Sequence, residues 1–350
     1  MKEDLSLNQL CDKVKSLAAL KKDFLVNTDD MCIHANQAYT TLQMNGKHFF
    51  LQETAERQLA SLCGMPYPFI QRLGKSHPNL LEVNYNTLLG DVHKTRLVRT
   101  MDRYTRAILS DRYKKFEHEN ILETLMPILD NTSGLSIVSS SITPEKMYIK
   151  IISEKETVDV NVGDAVSFGA VITNSEVGLG SITITPFCMR LVCTNGMALP
   201  KYSSSSRRIH LGKQINSIDE YENERYSFES LFATMKENLH TALDSMHYMK
   251  VVEKMRIATQ IKIVEPIDTI TRVAKYYGLS EEEHKAVTVH FLAAKDQSLY
   301  GLANAVTRTA QDAITYIRAS ELEKIGSDVL YDGVKSANKN ESPVLGLIAA

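Results

Sequence analysis

The segment from residue 135 to residue 193 constrains the fold most, because it carries the pattern of several consecutive β-strands. Leu135–Thr143 and Met147–Ser153 flank the turn-forming sequence Thr143-Pro-Glu-Lys146, and apolar and polar residues alternate in the second segment. Alternation with a period of two is typical of paired strands. The residues that follow are rich in Val, Ile, Thr and Phe, which favour a pleated sheet. We therefore predict a mainly antiparallel central sheet over about residues 95–197.

Helical patterns precede and follow this sheet. On the N-terminal side, three short segments between residues 52 and 89 are bounded by Gly or Pro, as helix ends often are. On the C-terminal side, apolar residues recur at steps of three and four over Phe228–Met249, and Ser280–Glu283 forms a capping box. The predicted fold class is α+β, with a helical N-terminal part, a mainly antiparallel central sheet and a helical C-terminal part.

We predict three parts in the chain, with the bounds of the middle part taken from the family resemblance described below. Residues 1–34 form an N-terminal extension, residues 35–312 form a single α+β domain, and residues 313–350 form the end of a helix and a tail. Within the domain, the serine-rich stretch 201–217 lacks apolar anchors and is typical of a loop. Helices occupy about residues 227–312.

Local motifs for nucleotide, metal or covalent chemistry fail in this sequence. Gly74-Lys-Ser76 resembles the end of a phosphate-binding loop, but that loop needs glycine where this chain has Phe69. Cys188 and Cys193 lie five positions apart in a predicted strand, so their side chains point to opposite faces. Structural cysteines are therefore favoured over zinc ligands. We expect no cofactor, no metal and no catalytic residues, although a carboxylate or histidine site need leave no local motif.

The composition predicts a protein of the cytoplasm with no membrane partner. The five cysteines are odd in number and widely spaced, which fits a reducing compartment better than a disulfide framework. No apolar run approaches the ~20 residues that span a bilayer. The first residues also lack the basic and apolar pattern of a secretory signal.

The strongest candidate binding segment lies between Lys94 and Lys115. It carries eight basic residues against two acids, a net charge of +6, in a chain whose formal net charge is −2. Arginines neutralise phosphates, and interleaved tyrosines stack bases without sequence preference. The alternative is a solvated hairpin whose arginines pair with acids elsewhere in the chain. The candidate nucleic-acid-binding residues are Arg96, Arg99, Arg103, Tyr104, Arg106, Arg112, Tyr113, Lys114 and Lys115, together with Arg190 from a later strand.

Three segments carry a resemblance to a known family: Arg106-Ala-Ile-Leu-Ser-Asp-Arg-Tyr113, Arg190-Leu-Val-Cys-Thr-Asn-Gly-Met197 and Gly301-Leu-Ala-Asn-Ala-Val-Thr307. In sequence and order they resemble the phage/plasmid-like proteins grouped as a domain of unknown function. The resemblance covers about residues 35–312 and implies a mobile element in a host-cell cytoplasm, but no settled activity. The order of sheet and helices is also similar in outline to single-strand annealing proteins of the Red-beta and RecT kinds, although fold does not establish function.

Together these observations favour a non-enzymatic protein that binds single-stranded DNA and anneals strands in phage or plasmid recombination. Such a protein needs neighbouring copies to extend its basic groove along a strand, so we expect a homo-oligomer. The main alternative is a protein–protein interaction factor of defence or counter-defence that binds no nucleic acid. The third is an enzyme with an unrecognised site.

Overall fold

Two sheets with helices before, between and after them make up the part of the chain that the structure describes. The computed structural model describes residues 5–180, 182–192, 195–199 and 245–337, with residues 233, 235–237, 239 and 243 between them. Antiparallel pairing dominates both sheets, and helices lie at both ends of the chain. The predicted α+β class is confirmed.

The first sheet has six strands in the order β1-β5-β6-β4-β3-β2. Its neighbours are antiparallel except for β4 and β6, which are parallel. A short 3₁₀ turn, Thr28–Asp30, connects the first two strands. The strands are β1 (Lys21–Asn27), β2 (Cys32–Ala35), β3 (Thr40–Met44), β4 (Lys47–Leu51), β5 (Thr95–Met101) and β6 (Tyr104–Ser110).

Four of these strands lie in the first 51 residues, where the sequence predicted mainly helix. Strands β2, β3 and β4 are only four or five residues long, too short for a clear alternation. Strand β1 pairs far along the chain, with Lys21 opposite Met101. Local patterns do not reveal such a pairing. The predicted central sheet over about residues 95–197 begins at β5, which pairs with β6.

One face of the first sheet packs against three helices, α2 (Glu53–Leu62), α3 (Tyr67–Ser76) and α4 (Pro78–Gly90). Alternate strand residues point to this face, which gives one contiguous apolar core. The core includes Val26, Leu42, Phe49, Val98 and Ile108 from the strands and Leu59, Ile70 and Tyr85 from the helices. The opposite face of the sheet, which points away from these helices, is called the outer face below.

The second sheet has five antiparallel strands in the order β11-β10-β9-β8-β7. They are β7 (Leu135–Ile142), β8 (Met147–Asn161), β9 (Asp164–Asn174), β10 (Thr183–Arg190) and β11 (Asn195–Ala198). The predicted hairpin is therefore present as β7 and β8, which pair from Leu135 opposite Ser153 to Ile142 opposite Met147. Helices α1 (Leu7–Ala18) and α5 (His118–Asn131) share a second apolar core with β8 and β9.

Five further helices share the largest core with the remaining strand residues. They are α6 (Ser245–Gln260), α7 (Pro266–Tyr277), α8 (Glu281–Ala293), α9 (Leu299–Thr309) and α10 (Tyr316–Ala337). Gly278 ends α7 with a φ of 64°, and Ser280 caps α8 in the predicted capping box. The predicted loop 201–217 and most of the predicted helix before residue 245 lie outside the described residues.

Helix α10 continues to Ala337, although the small, polar sequence from Gly326 onward favours a tail. The reason is close packing between helices. A Cβ atom on Gly326 would lie 2.3 Å from Cγ2 of Thr307, and one on Gly333 would lie 2.5 Å from Leu299. The glycines therefore allow α10 to approach α9. None of the described helices is both long and apolar enough to cross a membrane.

We predict that Gly326→Ala lowers the free energy of unfolding by about 1–3 kcal/mol, because the added methyl group has no space against Thr307 and the backbone oxygen of Ala303. The matched control is Gly90→Ala, since a Cβ atom there meets nothing within 4 Å. Urea unfolding of the two variants measures the difference. Equal stability of the two variants would contradict the close packing of α10 on α9.

Candidate functional site

A β-bulge in β6 determines where the basic segment points. Arg99 of β5 lies opposite Ala107, and Thr100 lies opposite Thr105, so Arg106 is an extra residue on its strand. Bulges of this kind re-aim a side chain relative to the regular alternation of the sheet. As a result, the guanidinium groups of Arg99 and Arg106 both reach Glu176, in the loop after β9.

The Glu176 carboxylate is fully buried, and both of its oxygens accept charged or backbone donors. Oε1 accepts from Lys21 Nζ at 2.6 Å and from the backbone N–H of His118 at 2.8 Å. Oε2 accepts from Arg106 Nη2 at 2.8 Å. The carboxylate thus joins β1 and β6 of the first sheet to the first residue of α5 and to the second sheet.

A second layer of ion pairs surrounds Arg99, whose side chain is only 2% exposed. Its Nε donates to Asp23 Oδ1 at 3.0 Å, its Nη2 donates to Glu117, and its Nη1 donates to the backbone oxygen of Glu176 at 2.9 Å. Lys115 lies 3.3 Å from the other oxygen of Asp23. We call Lys21, Asp23, Arg99, Arg106, Glu117 and Glu176 the Glu176 cluster.

In this cluster, burial and the neighbouring charges shift the pKa values of Arg99 and Glu176 in opposite directions. Burial would lower the pKa of Arg99, but the carboxylates of Glu117 and Asp23 raise it above its ordinary value. Burial would raise the pKa of Glu176, but the positive charges of Lys21 and Arg106, and of His118 whenever its ring is protonated, hold it well below its usual range. At neutral pH both the Arg99 guanidinium and the Glu176 carboxylate are therefore ionised.

His118 is the neutral neighbour of this cluster. Burial lowers the pKa of His118 to about 4, although the nearby Glu176 carboxylate acts in the opposite direction. The amide nitrogen of Asn174 lies 3.1 Å from its Nδ1 and also donates to the backbone oxygen of Phe116. Because an amide nitrogen only donates, Nδ1 is the acceptor and the ring proton is on Nε2.

The other half of the outer face is open and carries aromatic rings. Phe49 points into the helical core, so its neighbour Phe50 points to the outer face. Phe50 lies opposite Tyr104 of β6, with their ring centroids 5.7 Å apart, and Tyr39 meets Phe50 edge-on at 5.0 Å. Tyr39 is 51% exposed and Tyr104 is 42% exposed. These three residues are called the aromatic row.

A basic groove lies at the end of the sheet, where β1, β4 and the β5–β6 turn meet, on the side of the sheet that faces the helices rather than on the outer face. It has a volume of about 520 Å³, and Phe24 and Phe49 line its apolar part with ring centroids 6.0 Å apart. Its basic residues are Lys22, Lys47, His48 and Arg103, and its acidic residue is Asp102. The Arg103 side chain is 68% exposed, and its Nε lies 3.7 Å from Asp102.

The structure separates the residues that the sequence grouped together. Arg99 and Arg106 are buried in the Glu176 cluster, whereas Arg103 and Tyr104 are exposed at the β5–β6 turn. Arg96 is half-buried, and its Nε has no hydrogen-bond partner among the described residues. Arg99 and Arg106 pair with acidic residues elsewhere in the chain.

The remaining candidates are also divided. Arg112, Lys114 and Lys115 are exposed just after β6, and Tyr113 donates its hydroxyl to the backbone oxygen of Ser175 at 3.2 Å. Arg190 lies in the second sheet, where its Nε donates to Asp164 Oδ1 at 2.5 Å. The structure therefore does not bring Arg190 into contact with the basic segment.

The sequence did not indicate several residues of the outer face, both in the aromatic row and around the Glu176 cluster. Phe49 and Phe50 are adjacent aromatic residues, which favour a strand, and neighbouring strand residues point to opposite faces, so one of the two rings lies on the open face. Lys21, His118 and Glu176 gave no local signal, because the residues they meet in this cluster are far along the chain. No described group of three or more His, Cys, Asp or Glu side chains is arranged to hold a metal ion.

Comparison with known families gives a match over residues 107–325, which is more than half of the chain, to the family described as Domain of unknown function (DUF932). The chain belongs to this family. No curated protein and no solved structure matches it. The resemblance to a domain of unknown function is therefore confirmed, and the phage or plasmid setting stays a prediction. The aromatic row and the basic groove lie before the matched DUF932 residues.

Two of the family-like segments have a structural role in this DUF932 protein. Asn195 and Gly196 lie in β11, and a Cβ atom on Gly196 would lie 2.9 Å from Glu323 Oε1. That carboxylate forms a buried ion pair with Lys150 at 2.7 Å. Gly301, in the first turn of α9, lies so close to Asp296 that a Cβ atom would lie 2.0 Å from the backbone oxygen of Asp296. Both glycines are thus explained by close packing. Cys193, which was predicted to be a structural cysteine, lies outside the described residues.

We predict that Glu176→Gln lowers the free energy of unfolding by about 3–5 kcal/mol, because it leaves Lys21 and Arg106 buried without their shared counter-charge. The matched control is Glu53→Gln, which removes an exposed ion pair with Arg57 and costs at most about 0.5 kcal/mol. Chemical denaturation of both variants provides the measurement. If both variants are as stable as the parent protein, the Glu176 cluster does not hold the two sheets together.

Proposed function

We propose that this protein binds single-stranded DNA at the end of the first sheet, with bases on the aromatic row of the outer face and the backbone crossing the β5–β6 turn into the basic groove. The observation that carries the proposal is that the aromatic row and the basic groove meet at this turn, where Arg103 of the groove precedes Tyr104 of the row. A binding surface for single strands needs both features, since rings stack on bases and cations neutralise the backbone. Open sheet faces with exposed rings are used in this way by RNA-recognition domains.

The exposure of the rings supports stacking. Tyr104 and Tyr39 are about half exposed on the surface of a sheet, where a flat base could lie against them. Each base that stacks on an aromatic ring contributes about 1–3 kcal/mol, whatever the base is. A double helix hides its bases, so the aromatic row favours single strands without a preference for sequence.

The charges of the groove support contact with phosphates. Lys22, Lys47 and Arg103 line it with Asp102 as the acidic member, in a chain whose formal net charge is −2. The potential that a ligand meets depends on the local arrangement rather than on the total charge. Arg112, Lys114 and Lys115 add exposed positive charge after β6. In this proposal Arg99 and Arg106 are buried and stabilise the sheet, and they do not contact the backbone of the DNA strand.

The proposal extends to strand annealing in phage or plasmid recombination, in the cytoplasm of a host cell. A single groove covers few nucleotides, so annealing requires several copies of the chain along one strand. A homo-oligomer is therefore part of the same proposal.

The test is fluorescence anisotropy with a labelled oligothymidine over a series of salt concentrations. Tyr104→Ala should weaken binding about 5- to 100-fold through lost stacking. Its matched control is Tyr276→Ala, because that tyrosine is 47% exposed on α7, far along the chain from the sheet. The double variant Lys47→Gln, Arg103→Gln should reduce the slope of log affinity against log salt by about 1.4, since each lost phosphate contact removes ~0.7.

The control for charge is Arg272→Gln, whose side chain is 39% exposed and paired with Asp268 on its own helix. It should leave both affinity and slope unchanged. The proposal is contradicted if the parent protein does not bind the oligonucleotide at low salt. It is also contradicted if Tyr104→Ala and Tyr276→Ala have the same affinity.

A further inference from the structure

A small cavity lies at the border between the Glu176 cluster and the open half of the outer face. Its volume is about 130 Å³, and it is open to solvent on one side. Lys13, Lys21, Arg106, His118, Thr143 and Glu176 are among the residues that line it. Met101 also lines it and lies opposite Tyr104 of the aromatic row in the sheet. We call this space the Arg106 cavity.

Arg106 is one of the residues that line this cavity, and one of its donors has no partner among the described residues. Its side chain is only 7% exposed, and its Nη2 is bound to Glu176. Its buried Nη1 has no hydrogen-bond partner among the described residues. Buried polar groups in native proteins nearly always have a partner, and a charged donor without one is especially costly. A ligand atom that accepts a hydrogen bond would complete this guanidinium group.

The other polar groups of the cavity are mainly donors as well. Lys13 and Lys21 add two positive charges, and neutral His118 carries its ring proton on Nε2. Among the described residues, one carboxylate lines the cavity, that of Glu176, and it already accepts from Lys21, Arg106 and the backbone of His118. The lining therefore has a net positive charge and offers donors, a combination that suits an oxyanion.

The size of the cavity limits the ligand. The volume of about 130 Å³ is large enough to hold several atoms of a ligand. Pockets for whole drug-sized ligands have volumes of about 300–1,000 Å³. The space fits a phosphoryl group and the atoms next to it, but not a complete nucleotide.

We propose that the Arg106 cavity binds the phosphoryl group of a phosphate monoester. Arg106 and Lys21 contact its oxygens from inside, and Lys13 of α1 contacts it from the rim. The phosphoryl group is either that of a small free phosphate or the terminal phosphate of a DNA strand. The second source rests on the proposed function, since a strand on the aromatic row would end beside the cavity.

The experiment measures two probes on the full chain. Inorganic phosphate is titrated by calorimetry, and one oligothymidine is compared by anisotropy with a 5′-phosphate, with a 3′-phosphate and with hydroxyl ends. The variant is Lys13→Gln, and its matched control is Lys15→Gln, two residues along the same helix and outside the cavity lining. Arg106→Lys serves as a second variant that keeps the charge but loses the unpartnered Nη1 donor.

We expect phosphate binding, or a preference for one phosphorylated end, that falls about tenfold in Lys13→Gln and stays unchanged in Lys15→Gln. Binding of inorganic phosphate without an end preference identifies a free phosphate as the source. An end preference identifies the strand terminus. If the three oligonucleotides bind equally and inorganic phosphate does not bind, the cavity proposal is overturned while the proposed function stands. If phosphate binds but no oligonucleotide does, the proposed function fails alone.

Discussion

The arrangement of the two sheets depends on the hydrogen bonds and ion pairs that the buried carboxylate of Glu176 accepts. It accepts from Lys21 on β1, from Arg106 on β6 and from the first backbone N–H of α5, so it connects elements of both sheets. A buried ion pair often adds little net stability, because desolvation offsets the attraction between the charges. Removing one member is nevertheless costly, so the cluster fixes which surfaces can face each other.

The bulge at Arg106 divides one sheet face into two halves with different roles. On one half, Arg99 and Arg106 are turned inward and compensated by Asp23, Glu117 and Glu176. On the other half, the surface remains open and carries exposed rings. The positive charge of residues 94–115 is therefore partly buried in ion pairs and partly exposed. The Arg106 cavity lies where the two halves meet.

Much of the architecture could be predicted from local patterns. The β7–β8 hairpin, the β5 and β6 strands and the helix caps at Gly278 and Ser280 depend on residues close together in the sequence. The N-terminal strands could not be predicted, because they are short and because the residues of β1 pair with residues 68 to 80 positions along the chain. Long-range pairing also decided the candidate site: Arg106 and Glu176 are 70 positions apart, so no local pattern indicated that this arginine is buried.

The most direct test of the account is photo-crosslinking of the protein to an oligonucleotide that contains 5-iodouracil, followed by mapping of the crosslinked peptides. The account predicts crosslinks at Tyr39, Phe50 and Tyr104, with few on helices α7 to α10, since stacked bases must contact the aromatic row. Crosslinks confined to the C-terminal helices would contradict the assignment of the open half of the outer face as the DNA-binding surface.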